Sequence, residues 1–127
     1  MNNLTYQNFA DHLRTAVPGF DRVYDEHLAD NDDILPHVLL GDLVRFLSRE
    51  VEVHGDESVT LKQAMRLLES GMGSADARLQ ELVAVSFLEN LDPADASFRT
   101  ISELFGPKLE QQYRQYANAT ASGVKPV

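Results

Sequence analysis

Cysteine and tryptophan are absent from this chain of 127 residues, and basic side chains are scarce, 11 against 20 acidic ones. Without cysteine there is no disulfide framework, no thiol nucleophile and no Cys-ligated zinc. A net charge of −9 repels nucleic acid and anionic lipid, and favours basic proteins or cations as partners. No apolar run approaches the ~20 residues that span a bilayer. The opening Met1-Asn2-Asn3-Leu4-Thr5 has no basic stretch followed by an apolar one, so no signal peptide is expected and the expected compartment is the cytoplasm. Asn-Gly and Asp-Gly pairs are missing too, which removes the strongest hairpin signal.

What is present is a helical period. At 43% hydrophobic and 24% charged, the composition is that of a globular domain able to bury a core. Tyr6, Phe9, Leu13 and Val17 recur at three and four residues until Pro18-Gly19 stops them. Phe20, Val23, Tyr24 and Leu28 repeat the spacing, and Leu35, Val38, Leu39, Leu43, Phe46 and Leu47 give the longest stripe. Pro36 fits the first turn of that third helix, and Val51-Glu52-Val53-His54 is compatible with a short extended exit. Thr60-Leu61-Lys62-Gln63 reads as a capping box opening a fourth helix, closed by a left-handed glycine at Gly71 or Gly73. Ala75 to Asn90 is apolar nearly all round, the mark of a central helix. Phe98 to Phe105 and Leu109 to Tyr116 give two more segments. The expected fold is an all-α bundle of six or seven short helices in a single domain over 1–116, with a disordered tail over 117–127.

The charge is concentrated. Residues 18–60 hold eleven acids against Arg22, Arg45 and Arg49, a sum of −8. Asp21, Asp25, Glu26, Asp30, Asp32 and Asp33 fall within thirteen positions that contain only Arg22 as a base. On a helix, Asp21–Asp25 and Glu26–Asp30 are like-charge neighbours that cost roughly 0.2–0.5 kcal/mol each. Such a face either keeps the protein soluble or docks a cationic partner. With a tyrosine as anchor, the expected partner-binding set is Tyr24, Asp25, Glu26, His27, Asp30, Asp32, Asp33 and His37, and the expected partner is a basic protein.

Chemistry offers one alternative. His27, Asp30, Asp33 and His37 could converge on zinc, manganese or iron if the second and third helices fold back on each other, in a metal-binding protein or metal-dependent hydrolase. The competing reading has Asp33 capping the third helix and pairing with His37, with no ligand. No spaced motif such as HExxH occurs, and no bound cofactor or stoichiometric metal is expected. An EF-hand is excluded, since Leu35 stands where its glycine belongs and Gly41 where its glutamate belongs. GxSxG, GxGxxG and GxxxxGK[ST] are all missing, so no catalytic residue is assigned and a binding protein is expected before an enzyme.

Phe20, Tyr24, Glu26-His27, Asp30-Asn31, Leu35-Pro36-His37 and Gly41-Asp42 together resemble the signature stretch of a family of small acidic bacterial proteins known only as a domain of unknown function. Leu67-Leu68-Glu69-Ser70 and the run from Val85 to Leu91 resemble that family as well, so the likeness covers roughly residues 5–115. It implies a helical domain with functional interest in Glu26 to Asp42, and no activity. In size, acidity and the tyrosine on its acidic second helix, the chain is also similar to immunity proteins that block basic bacterial toxins. That likeness is one of architecture and implies a toxin-like basic partner.

Overall fold

Leu39, Leu40, Leu43 and Leu47 form one buried stripe along the longest helix of the bundle. The computed structural model describes residues 2–121. In chain order the helices are α1 (Phe9–Ala16), α2 (Phe20–Asn31), α3 (Pro36–His54), α4 (Val59–Met72), α5 (Ala77–Glu81), α6 (Phe98–Glu103) and α7 (Pro107–Ala121). No strand occurs among the described residues, and none of their helices is long and apolar enough to cross a membrane. The protein is an all-α bundle.

The helix order follows the punctuation. Pro18-Gly19 turns the chain between α1 and α2, with Gly19 at φ +85°, a conformation only glycine adopts without steric cost. Pro36 lies in the first turn of α3, where a missing N–H loses no helical bond. Phe9, Phe20 and Phe87 are fully buried; Phe9 packs by Gly71 of α4 and Phe20 edge-on against Phe46 of α3. α3 stays helical through His54, so Val51 to His54 is not extended.

The segment expected at the centre is there, but it is not one uniform helix. α5 passes without a break into a π-helical turn, Leu82–Phe87, and then a 3₁₀ turn, Leu88–Asn90. A π turn sets its residues closer together around the axis than an α turn does. In it Leu82, Val83, Ala84, Ser86 and Phe87 are all buried, and Val85 faces solvent. This suits a stretch of sequence apolar on nearly every side, packed against α3, α4 and α7.

Two caps differ from the sequence reading. α4 starts at Val59, and its cap is Ser58, whose hydroxyl oxygen accepts the Leu61 N–H at 3.0 Å. Thr60 is already inside the helix, and its hydroxyl donates to the Pro18 carbonyl at 3.1 Å, so there is no Thr60–Gln63 box. At the other end Gly71 is inside the helix against Phe9 and Val83, where an added Cβ would lie 3.2 Å from each. Gly73 closes α4 at φ −88°, not in the left-handed region. Close packing, not backbone freedom, is what Gly71 supplies. α7 is helical through Ala121, and the rest of the expected tail, residues 122–127, lies outside the described residues.

Candidate functional site

α2 is polar on most of its surface, and only Phe20 and His27 in it are fully buried. Asp21, Asp25, Glu26 and Asp30 are exposed on the helix, and Asp32 and Asp33 on the turn after it. Asp32 itself ends α2 in the left-handed conformation, at φ +58°, with its N–H bonded to the Leu28 carbonyl. Asp33 accepts the N–H of Ile34 at 2.8 Å. It does not cap α3 or meet His37. Of these six acids, only Asp25 makes an ion pair among the described residues, with Arg14 at 3.4 Å and on the surface.

The expected anchor, Tyr24, faces α1. Its ring is half-buried, the Arg14 guanidinium stands 5.3 Å from the ring centre, and its hydroxyl donates to Asp11 at 3.4 Å. Burial, with the nearby Asp11 carboxylate, raises the phenol's pKa above its ordinary 10.0. Tyr24 is therefore part of the α1–α2 contact, and its acidic neighbours divide between two sides. Asp25 lies toward Arg14 and α1, while Glu26 and Asp30 line the groove toward α3.

His27 lies beneath this face rather than on it, at 3% exposure. Its Nε2 lies 3.0 Å from the Leu35 N–H and its Nδ1 3.0 Å from Asp42. A backbone N–H can only donate, so Nε2 is the acceptor and the neutral ring carries its proton on Nδ1, donated to Asp42. The carboxylate thus orients the imidazole as in a catalytic pair. Its one lone pair is already occupied by α3's entry, so the geometry locks two helices together and leaves no free base. Asp42 is held on its other side by Arg45.

His37 is on the first turn of α3 and points elsewhere. Its Nδ1 is 2.5 Å from the hydroxyl of the buried Ser86, in the π turn, and its ring is 6.1 Å from that of Tyr6. The two histidines are therefore not brought together with Asp30 and Asp33. Among the described residues no group of three or more His, Asp or Glu is placed to hold a metal ion.

A groove runs between α2 and α3. One end, about 280 Å³, is lined by Val23, Glu26, His27, Asp30, Asn31, Val38, Asp42 and Phe46. It continues into a space of about 520 Å³ reaching Gly19, Asp21, Arg22 and Glu50, with Val23, Glu26, Phe46 and Arg49 common to both. On the other side of α3, a third hollow of about 390 Å³ lies over Val44, Leu91, Phe98 and Ile101. Asp95 stands at its edge with a lowered pKa, because the backbone N–H and then the hydroxyl of Ser97 donate to its carboxylate.

Periodicity and spacing did not mark Arg49, Val38 or Phe46 as groove residues, and Asp42 entered only as the end of the family-like stretch. Val38 sits in the apolar stripe of the third segment, yet it is 47% exposed, and Leu35 is 41% exposed. The pairing of His27 with Asp42 spans fifteen positions, which no helical spacing encodes. A histidine surrounded by acids was the one local hint.

Comparison with known proteins gives one match. The family model described as "Domain of unknown function (DUF7674)" matches residues 10–119. No curated protein matches significantly. No solved structure does either.

Proposed function

Since the chain belongs to the family of this domain of unknown function, a membership that assigns no activity, we propose its role from the acidic face: it is a protein-binding domain that covers a basic partner, in the manner of an immunity or antitoxin-like protein. One observation carries this reading. Asp21, Glu26, Asp30, Asp32 and Asp33 are exposed on one helix and the turn after it, and none makes an ion pair among the described residues. Like charges gathered on one face repel, and a cationic surface relieves that repulsion. The same field attracts a basic partner from a distance, so its main effect is on the rate of association, and salt weakens it.

The partner is a basic protein such as a toxin, and neither nucleic acid nor a membrane. The triple variant Asp21→Lys, Glu26→Lys, Asp30→Lys tests this. At low salt the native protein is expected to capture a defined set of basic proteins from a lysate of its source cells and to release them when salt is added. The variant, with its helical spectrum intact, is expected to lose that capture. Equal capture by native protein and variant would overturn the reading, because an exposed acidic docking face cannot survive reversal of three of its charges.

A further inference from the structure

The groove between α2 and α3 follows α2 from Gly19 to Asn31, about 18 Å at the helical rise of 1.5 Å per residue. Val23, Phe46 and Val38 supply its apolar surface, and Val38 is 47% exposed. Its α2 edge is net acidic, with Asp21, Glu26 and Asp30 against Arg22, and its α3 edge is mixed, with Arg45 and Arg49 beside Asp42 and Glu50. The α2 edge carries Glu26 and Asp30, neither in an ion pair among the described residues. On the α3 edge Arg45 is held by Asp42, whereas Arg49 makes no ion pair among the described residues.

We propose that this groove seats an amphipathic helix of the partner protein, apolar stripe inward, with its lysine- or arginine-bearing edge along α2. The inference rests on the acidic-face reading above and names the segment of the partner that the face receives. Length supports it: apolar residues spaced i, i+4 and i+7 on a helix span about 10 Å, well within the groove. Charge supports it as well. Long basic side chains can lay their methylene stems over Val23 and Val38 while their heads reach Glu26 and Asp30. Arg49 then meets a carboxylate on the helix's opposite edge, which sets its rotation about its axis.

Three labelled synthetic peptides of about 16 residues test the proposal by fluorescence anisotropy at low salt. One is a Leu/Lys peptide with leucines at i, i+3, i+4 and i+7, the second is the same composition scrambled, and the third replaces lysine by glutamate. The amphipathic basic peptide is expected to bind with a Kd in the micromolar range, the scrambled one about tenfold more weakly, and the acidic one not at all. Val38→Gln, at an exposed position and therefore leaving the thermal midpoint unchanged, is expected to weaken the first peptide about tenfold and the scrambled one little. Equal binding of both basic peptides with no effect of Val38→Gln overturns the groove and leaves the acidic-face reading standing. Binding by neither overturns both. Binding of the acidic peptide as tight as the basic one overturns the basic edge and the reading beneath it. If the protein alone sediments as a dimer that Val38→Gln dissociates, the occupant is a second copy of the chain and the proposal fails.

Discussion

The imidazole of His27 meets the Asp42 carboxylate at 3.0 Å, across fifteen residues, and its other nitrogen takes the backbone N–H that begins α3. One buried side chain thereby fixes how α3 leaves α2, and with it the groove between them. Removing it deletes two hydrogen bonds, one of them to a charged group, and leaves a hole in the packing. His27→Ala is expected to cost about 2–4 kcal/mol in urea unfolding. Asp42→Asn, which keeps an acceptor for Nδ1, is expected to cost less. A loss below about 0.5 kcal/mol for His27→Ala would mean the ring holds nothing in place.

Glu69 caps α7 from a distance. Its two carboxylate oxygens accept the N–H groups of Lys108 and Leu109 at 2.9 and 3.0 Å. Gly106 leaves room for it, since a Cβ there would fall 2.4 Å from the Glu69 carboxyl carbon. Glu69→Ala is expected to cost about 1–2 kcal/mol, the usual value of a helix cap. Gly106→Ala should displace the same cap, so the two substitutions together should cost clearly less than their sum. Simple additivity in thermal or urea unfolding would show that the glycine serves some other purpose.

Acid should loosen the N-terminal segment. Asp76 has a lowered pKa, chiefly because the backbone N–H of Tyr6 donates to it at 2.8 Å, with further donation from the start of α5. A carboxylate depressed in the folded state adds stability above its unfolded value of 3.8, and that stability disappears as pH falls through the lower folded value. The urea midpoint of the native protein is therefore expected to fall as pH drops below about 4, and that of Asp76→Asn to start lower and fall less steeply. Parallel curves for the two proteins would contradict the assignment.

Tyr24 gives the opposite sign. Its folded pKa is raised, so its contribution is complete below 10.0 and is lost as pH rises through the higher folded value. Tyr24→Phe keeps the packing and is expected to change stability at neutral pH by less than about 0.5 kcal/mol while flattening the alkaline loss. Tyr24→Ala removes half-buried contacts with α1 and is expected to cost about 2 kcal/mol before any partner is added. Were Tyr24→Ala to leave the thermal midpoint unchanged, Tyr24 would be available to a partner after all.

The helices, their order and the acidic second segment were legible in the residues themselves, because periodicity, proline, glycine and charge act over three or four positions. Pro36, Gly19 and the leucines of α3 stand where such local rules place them. The caps of α4 and α7 were not legible that way. Ser58 and Thr60 both carry hydroxyls, and in the fold Ser58 caps α4 while Thr60 donates to the Pro18 carbonyl. The candidate site divides along the same line. Sequence alone determined that the negative charge gathers between residues 18 and 60. Tertiary structure alone decided that Tyr24 turns to α1, that His27 is buried on Asp42, and that Val38 is left exposed beside Glu26 and Asp30. The reason is physical: a side chain's spacing fixes its helical face, but the neighbours that reach that face come from distant sequence, and their packing determines what is covered.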